Sequence, residues 1–156
     1  MHKRILALLL CTVLLLSTGC AAKAKTFSAK DFTITLTEDF QETAYYTYDA
    51  SYQSDSMAVY VLRQEFELFE GGDVEVDLEF FTEYMISVHN LDVEPQTEDR
   101  LFYFVFEKEV NSNTFTYYAF AYEANDAFWL VQFCCETKNV EKLEKSIFQY
   151  AKSVKV

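Results

Sequence analysis

Apolar and polar residues alternate with a period of two along Phe32–Leu36, Ala44–Tyr48, Met57–Phe69, Leu101–Val110, Thr114–Tyr122 and Ala127–Cys135, which predicts six strands. Asn111-Ser112-Asn113 and Asn125-Asp126 separate the last three at hairpin length, and these residues tolerate left-handed dihedrals. The segment from Leu101 to Cys135 is therefore predicted to be an antiparallel meander inside a sheet. Phe102, Phe104 and Phe106 share one face of their strand, with Leu101, Tyr103 and Val105 on the other; Trp129, Val131 and Phe133 likewise oppose Phe128 and Leu130. Both faces of the sheet need cover, and Phe104 and Trp129 are expected to anchor the core.

Two stretches with helical spacing supply it. From about Asp77 to Asn90, the residues Leu78, Phe81, Tyr84, Met85, Val88 and Leu91 fall on one stripe, leaving Phe80 and Ile86 as a patch for a partner or for extra sheet contacts. The second helix runs from Asn139, a favourable N-cap, to about Ser153. Val140, Leu143, Ile147, Tyr150 and Ala151 form its buried side, and Glu141 and Lys145 form an i,i+4 pair. The expected class is α+β: an antiparallel six-stranded sheet with a helix on each face, an α/β/α sandwich.

The first nineteen residues read differently. Met1-His2-Lys3-Arg4 is basic, Ile5 to Leu16 carries no charge, and Ser17-Thr18-Gly19 precedes Cys20. Twelve helical residues cover about 18 Å, well short of a ~30 Å hydrocarbon core, so the stretch suits a cleaved signal better than a membrane span. Small residues before a cysteine resemble the bacterial lipoprotein signal, although Ser17 stands where that signal usually carries Leu. The resemblance implies cleavage after residue 19 and a diacylglyceryl group on Cys20. Residues 20–30 would then be the lipidated cysteine and a tether of small, polar and basic residues, and residues 31–156 the globular domain. Ten extended residues reach at most ~35 Å.

Cleavage removes Lys3 and Arg4 and no acid, so the formal charge moves from −12 to −14. Such a chain is repelled by nucleic acid and by anionic head groups, which excludes nucleic-acid partners and leaves the lipid as the membrane anchor. Of the cysteines, Cys11 leaves with the signal, Cys20 takes the lipid, and Cys134-Cys135 sit next to each other on a strand, expected as two small apolar groups on opposite faces. After removal of the signal the only glycines are Gly71 and Gly72, which rules out a glycine-rich phosphate loop and leaves turns to Asn, Asp and Ser.

Candidate chemistry is sparse. His89 is the sole histidine beyond the signal, and its place near a helix end, where the dipole favours a cation, is an ordinary one. Between Arg63 and Arg100 stand twelve acidic residues and no Lys or Arg, including the alternating Asp73, Glu75, Asp77 and Glu79. An EF-hand counted from Asp73 would need Gly where Leu78 stands and Glu where Tyr84 stands, so the run reads as a solvated acidic loop and helix start. No metal, cofactor or catalytic residue is assigned. Tyr45, Tyr46, Tyr48, Tyr52 and Tyr60 crowd the polar loop "DASYQSDS", and Tyr48 and Tyr52, nearest the loop, are the candidate recognition residues.

The start "FTITLTEDF" (Phe32–Phe40) and the ending "AFWLVQFCCETKNVEKLEKSIFQYAKSVKV" (Ala127–Val156) resemble the PsbP-like family, whose members include a photosystem II extrinsic subunit and a nuclear transport factor that binds the Ran GTPase. The resemblance implies a strand leading into a last helix that stops at a serine, here Ser153, before a short apolar and basic tail. It implies no catalytic residue, since the family shares no catalytic motif. The expectation is a non-enzymatic lipoprotein on the outer face of the cytoplasmic membrane or another cell-envelope membrane, binding a protein partner beside it. The alternative is a glycan- or small-ligand-binding module using the tyrosines, and a carboxylate-based hydrolase stands third.

Overall fold

The computed structural model describes residues 22–69 and 76–156; Cys20, the signal before it, and Asp73 and Glu75 of the acidic run lie outside the described residues. Among the described residues the strands are β1 (Ala24–Ala29), β2 (Phe32–Thr37), β3 (Gln41–Thr43), β4 (Ala50–Gln53), β5 (Ala58–Glu65), β6 (Gln96–Glu98), β7 (Leu101–Val110), β8 (Asn113–Glu123) and β9 (Ala127–Glu136). The helices are α1 (Leu78–Val88) and α2 (Val140–Lys152). Seven strands form one antiparallel sheet in the order β3-β4-β5-β9-β8-β7-β6, and β1 and β2 form a separate hairpin. The main sheet thus has seven strands where six strands were expected in all. The expected strand Ala44–Tyr48 is instead a loop between two short strands, where the Tyr48 amide turns back to donate to the Tyr45 carbonyl.

The meander from Leu101 to Cys135 is present as β7-β8-β9, interior to the sheet. Asn111 and Ser112 both take positive φ, 51° and 64°, between the paired Val110 and Asn113, the geometry that a two-residue hairpin loop requires. Asp99 and Arg100 do the same, at 48° and 69°, between β6 and β7.

The alternation sorts into two cores. On one face Phe81, Met85 and Ile86 of α1 bury Phe104, Phe106, Phe128 and Leu130. On the other Ile147 and Ala151 of α2 lie with Trp129, Val131, Phe133 and the β1–β2 hairpin, where Phe32 stacks on Trp129 at 5.5 Å. Phe104 is fully buried and Trp129 nearly so, as expected of core anchors. Cys134 and Cys135 are free, buried, and on opposite faces of β9.

Four expectations fail for identifiable reasons. Ala24–Ala29, expected in the tether, is a strand: Phe27 is its one deeply buried side chain, and it packs on Tyr52 at 4.8 Å while the backbone pairs along β2. One anchored aromatic and a hydrogen-bonding edge suffice where no apolar period exists. The buried stripe of α1 is Phe81, Thr82, Met85 and Ile86, whereas Tyr84 and Val88 are exposed. The polar Thr82 enters the core because its hydroxyl donates to the Leu78 carbonyl at 2.7 Å. Of the two alternatives for Phe80 and Ile86, the exposed patch fails and sheet contact holds for Ile86, which is buried with Phe104 and Phe106, while Phe80 packs beside Phe69 and Tyr84. Asn139 precedes α2 but makes no side-chain capping bond, because Thr137–Asn139 already winds as a 3-10 turn into the helix.

The end of the chain closes the hairpin face. Ser153 Oγ accepts from the Thr35 amide at 2.9 Å, and Thr33 and Lys155 exchange backbone bonds at 2.9 and 3.0 Å. The serine and the tail after the last helix therefore clamp β2 over the sheet.

Candidate functional site

Helix α1 covers only part of its face of the sheet. Its contacts with the sheet fall mainly on β7 and β8 and reach Phe128 of β9, and beyond its last turn the same face continues through Tyr60 of β5, Gln132 of β9, Tyr117 of β8 and Phe106 and Lys108 of β7. Small residues lie among them: Ala119 is paired to Gln132, and Ala58 to Cys134. The result is a recess of about 240 Å³, walled by Tyr45 and Tyr48 from the β3–β4 loop and by His89 at the end of α1.

The loop holds its tyrosines by a short turn, Tyr48 N–H donating to the Tyr45 carbonyl at 3.0 Å. Asp49 then pins it to β5, its backbone amide donating to Val61 and its carboxylate accepting from the Arg63 amide at 2.7 Å. Tyr48 stacks on Tyr60 at 4.8 Å and 26°, and Tyr45 meets Tyr60 edge-on at 5.7 Å. Across β9, Phe106 and Tyr117 stack at 4.8 Å and 6°, with the Lys108 ammonium 5.3 Å from the Phe106 ring centre.

Burial pushes the Tyr60 phenol up to about 12 and raises Tyr48 and Tyr117 as well, with the nearby Cys134 adding to each. All three hydroxyls therefore stay protonated and able to donate. Burial first, and Lys108 second, lower His89 below its ordinary value, so the imidazole is neutral near pH 7. The helix dipole does not dominate there, contrary to the expectation for a helix-end histidine. Burial also raises the Cys134 thiol, which keeps it from being a thiolate at neutral pH.

The structure separates the two candidate recognition tyrosines. Tyr48 is half-buried in the recess wall. Tyr52 lies on the opposite face of β4, is 1% exposed and sits under Phe27, which corrects its assignment as a recognition residue. Alternation along β4 sends it inward once β1 covers that face. Sequence reading missed Lys108, Tyr117 and Gln132; the available signal was a lone lysine in phase with Phe104 and Phe106. Asp77 of the acidic run caps α1, accepting from the Phe80 amide at 2.8 Å.

Of three larger depressions, one of about 360 Å³ is lined by the Tyr45–Tyr48 loop with Glu42 and Asp49, and the other two are less selective. One of about 500 Å³ beside α2 carries Glu98 and Glu144 with Lys145 and Lys152, and one of about 370 Å³ carries Glu107 and Glu136 with Lys138. Each mixes both signs of charge, and in each one acid and base already pair: Lys152 lies 2.6 Å from Asp99, and Lys138 pairs with Glu136.

No protein-family model matches the chain, and no curated protein matches it. Solved structures do. The chain is similar to the cyanobacterial PsbP protein CyanoP of Synechocystis, with a TM-score of 0.53 and 11% identity over 92% of this chain and 99% of that one. It is also similar to a protein of Bacteroides thetaiotaomicron, with a TM-score of 0.54 and 8% identity over 86% of this chain and 48% of that one. At such identities the likeness is one of fold: the domain is PsbP-like.

Proposed function

We propose that this chain is a lipid-anchored, non-enzymatic binding protein of the cell envelope, whose recognition site is the recess bounded by Tyr45, Tyr48, Tyr60 and Tyr117. The observation that supports this reading is the aromatic recess itself, on a sheet face that α1 covers only in part. Its hydroxyls donate, its rings offer flat apolar surface, and its imidazole is held uncharged. That combination suits holding a ligand. The sequence favoured a protein partner. The geometry favours a ligand about the size of one ring, because the recess is concave and smaller than the ~300–1,000 Å³ of drug-sized sites. A protein partner is the second reading, favoured by Tyr46, which stands fully exposed at the loop tip.

The anchor on Cys20 is part of the proposal. With β1 beginning at Ala24, three residues separate Cys20 from the folded domain, a reach of roughly 14 Å over four Cα steps in place of ~35 Å. The recess would then work close to the membrane surface. Two acyl chains hold a protein stably where one does not.

The anchor is tested by fractionation: wild type stays in the membrane pellet at high salt and enters detergent, and Cys20→Ala becomes soluble with unchanged circular dichroism. Unmodified Cys20 on protein free in the medium, seen by mass spectrometry, would refute it. The site is tested with Tyr45→Ala/Tyr48→Ala in a screen of envelope glycan fragments and membrane crosslinking. Whatever the wild type captures should be lost by the folded double variant; equal capture places recognition elsewhere.

A further inference from the structure

The charge in the recess runs against the rest of the chain. The protein carries 25 acidic and 13 basic residues, yet among the described residues the only charged side chain lining the recess is Lys108. Its neighbours Glu107 and Glu109 alternate to the other face of β7, where Thr116 Oγ1 donates to Glu107 at 3.3 Å. Among the described residues Lys108 pairs with no carboxylate; its ammonium rests over the Phe106 and Tyr117 rings, at 5.3 and 5.9 Å. Consistently, no carboxylate contributes to the shifts of Tyr48, Tyr60, Tyr117 or His89. A cation left without its counter-ion beside the protonated Tyr48 and Tyr60 phenols is a set of donors lacking an acceptor, the Tyr117 hydroxyl being already engaged with the Cys134 sulfur.

The shape adds a second constraint. Tyr60 on β5 and Tyr117 on β8 are separated by β9 alone; Tyr60 lies opposite Gln132 and Tyr117 opposite Cys134, the next residue of β9 on that face, so two strand spacings and an offset of two residues put their Cα atoms about 12 Å apart. Tyr117 stacks sideways on Phe106 of the next strand, so its free face looks along the sheet toward β9, with the Gln132 amide between the two walls. One flat ring fits between such walls.

Resting on the recess being the recognition site, we propose that its ligand is a ring carboxylate: a single sugar or aromatic ring lying over Gln132, with its carboxylate on the Lys108 ammonium and a tyrosine hydroxyl.

Isothermal titration of the full chain in detergent micelles tests this with glucuronate and 4-hydroxybenzoate as probes, their uncharged counterparts glucose and 4-hydroxybenzyl alcohol, and ringless acetate. At least one ring carboxylate should bind at least tenfold tighter than its uncharged counterpart and than acetate, and which one binds identifies a sugar acid or an aromatic acid as the source. Lys108→Met should weaken it about ten- to hundredfold, as for one charge-assisted hydrogen bond, while Lys108→Arg stays within about threefold. No binding of either carboxylate, equal binding of the uncharged rings, or an unaffected Lys108→Met overturns the inference. If Tyr45→Ala/Tyr48→Ala still abolishes capture in the glycan and crosslinking screen, the recess is the recognition site and only its anionic ligand has been misassigned.

Discussion

Phe128 offers the sharpest test of how the layers are joined. It is fully buried and stacks on Phe81 of α1 at 4.7 Å and 11°, with Phe66 at 4.7 Å and Phe69 at 5.9 Å around it. Phe128→Ala removes a ring whose transfer from water stabilises by about 2 kcal/mol. It also leaves a ring-sized hole of roughly 100 Å³, which at about 24 cal/mol per Å³ adds about 2 kcal/mol. The expected loss is therefore about 4 kcal/mol, a large share of the ~5–15 kcal/mol of a typical domain. Urea unfolding followed by circular dichroism should show the midpoint falling at unchanged slope. A double-mutant cycle carries the argument further. Phe81→Ala and Phe128→Ala should couple by about 0.5–1.5 kcal/mol. Phe81→Ala and Ile34→Ala, on opposite faces of the sheet, should add within about 0.5 kcal/mol. Leu in place of either Phe preserves most of the volume and gives the same cycle if the Ala variants unfold. A loss below ~1 kcal/mol for Phe128→Ala, or no coupling to Phe81, would mean that α1 is not held by this stack.

Two further outcomes are expected. Asp77→Ala should cost about 1 kcal/mol through loss of the α1 cap, while Asp77→Asn should cost only a few tenths because an amide oxygen still accepts from Phe80; equal losses in urea unfolding would show that charge, not capping, matters there. Lys108→Met should raise the His89 pKa in an NMR titration without returning it to ~6.5, since burial, its larger cause, persists. With the folded value depressed, the unfolded chain binds more protons between the two values. The contribution of His89 to stability is therefore present above ~6.5, is lost as pH falls through the folded value, and is small for an imidazole this exposed. A pKa unmoved by Lys108→Met would place the ammonium away from the recess.

What the sequence determined by itself is whatever one local rule decides. Period-two alternation with Asn, Asp and Ser at the turns was enough for β7, β8 and β9, because hairpin geometry is set by two residues and the faces by parity. Parity also put Phe104 and Trp129 in the core and Cys134 and Cys135 on opposite faces, and apolar residues at helical spacing were enough for the two helices. Neither pattern revealed β1, whose partner is a strand with its own edge to fill and whose one deeply buried aromatic meets Tyr52 only after β4 has formed. Tyr48 and Tyr52 are four residues apart and alike in composition; tertiary structure sends one to a recess wall and the other beneath the hairpin. The recess itself is a property of the sheet order. It joins β5, β9, β8 and β7 with a loop before β4 and the last turn of a helix, so Tyr48, His89, Lys108 and Tyr117 meet across spans of sequence that no local pattern connects. Burial and the proximity of Lys108 then decide the protonation of His89, a matter of surroundings that the residue's position in the chain does not carry.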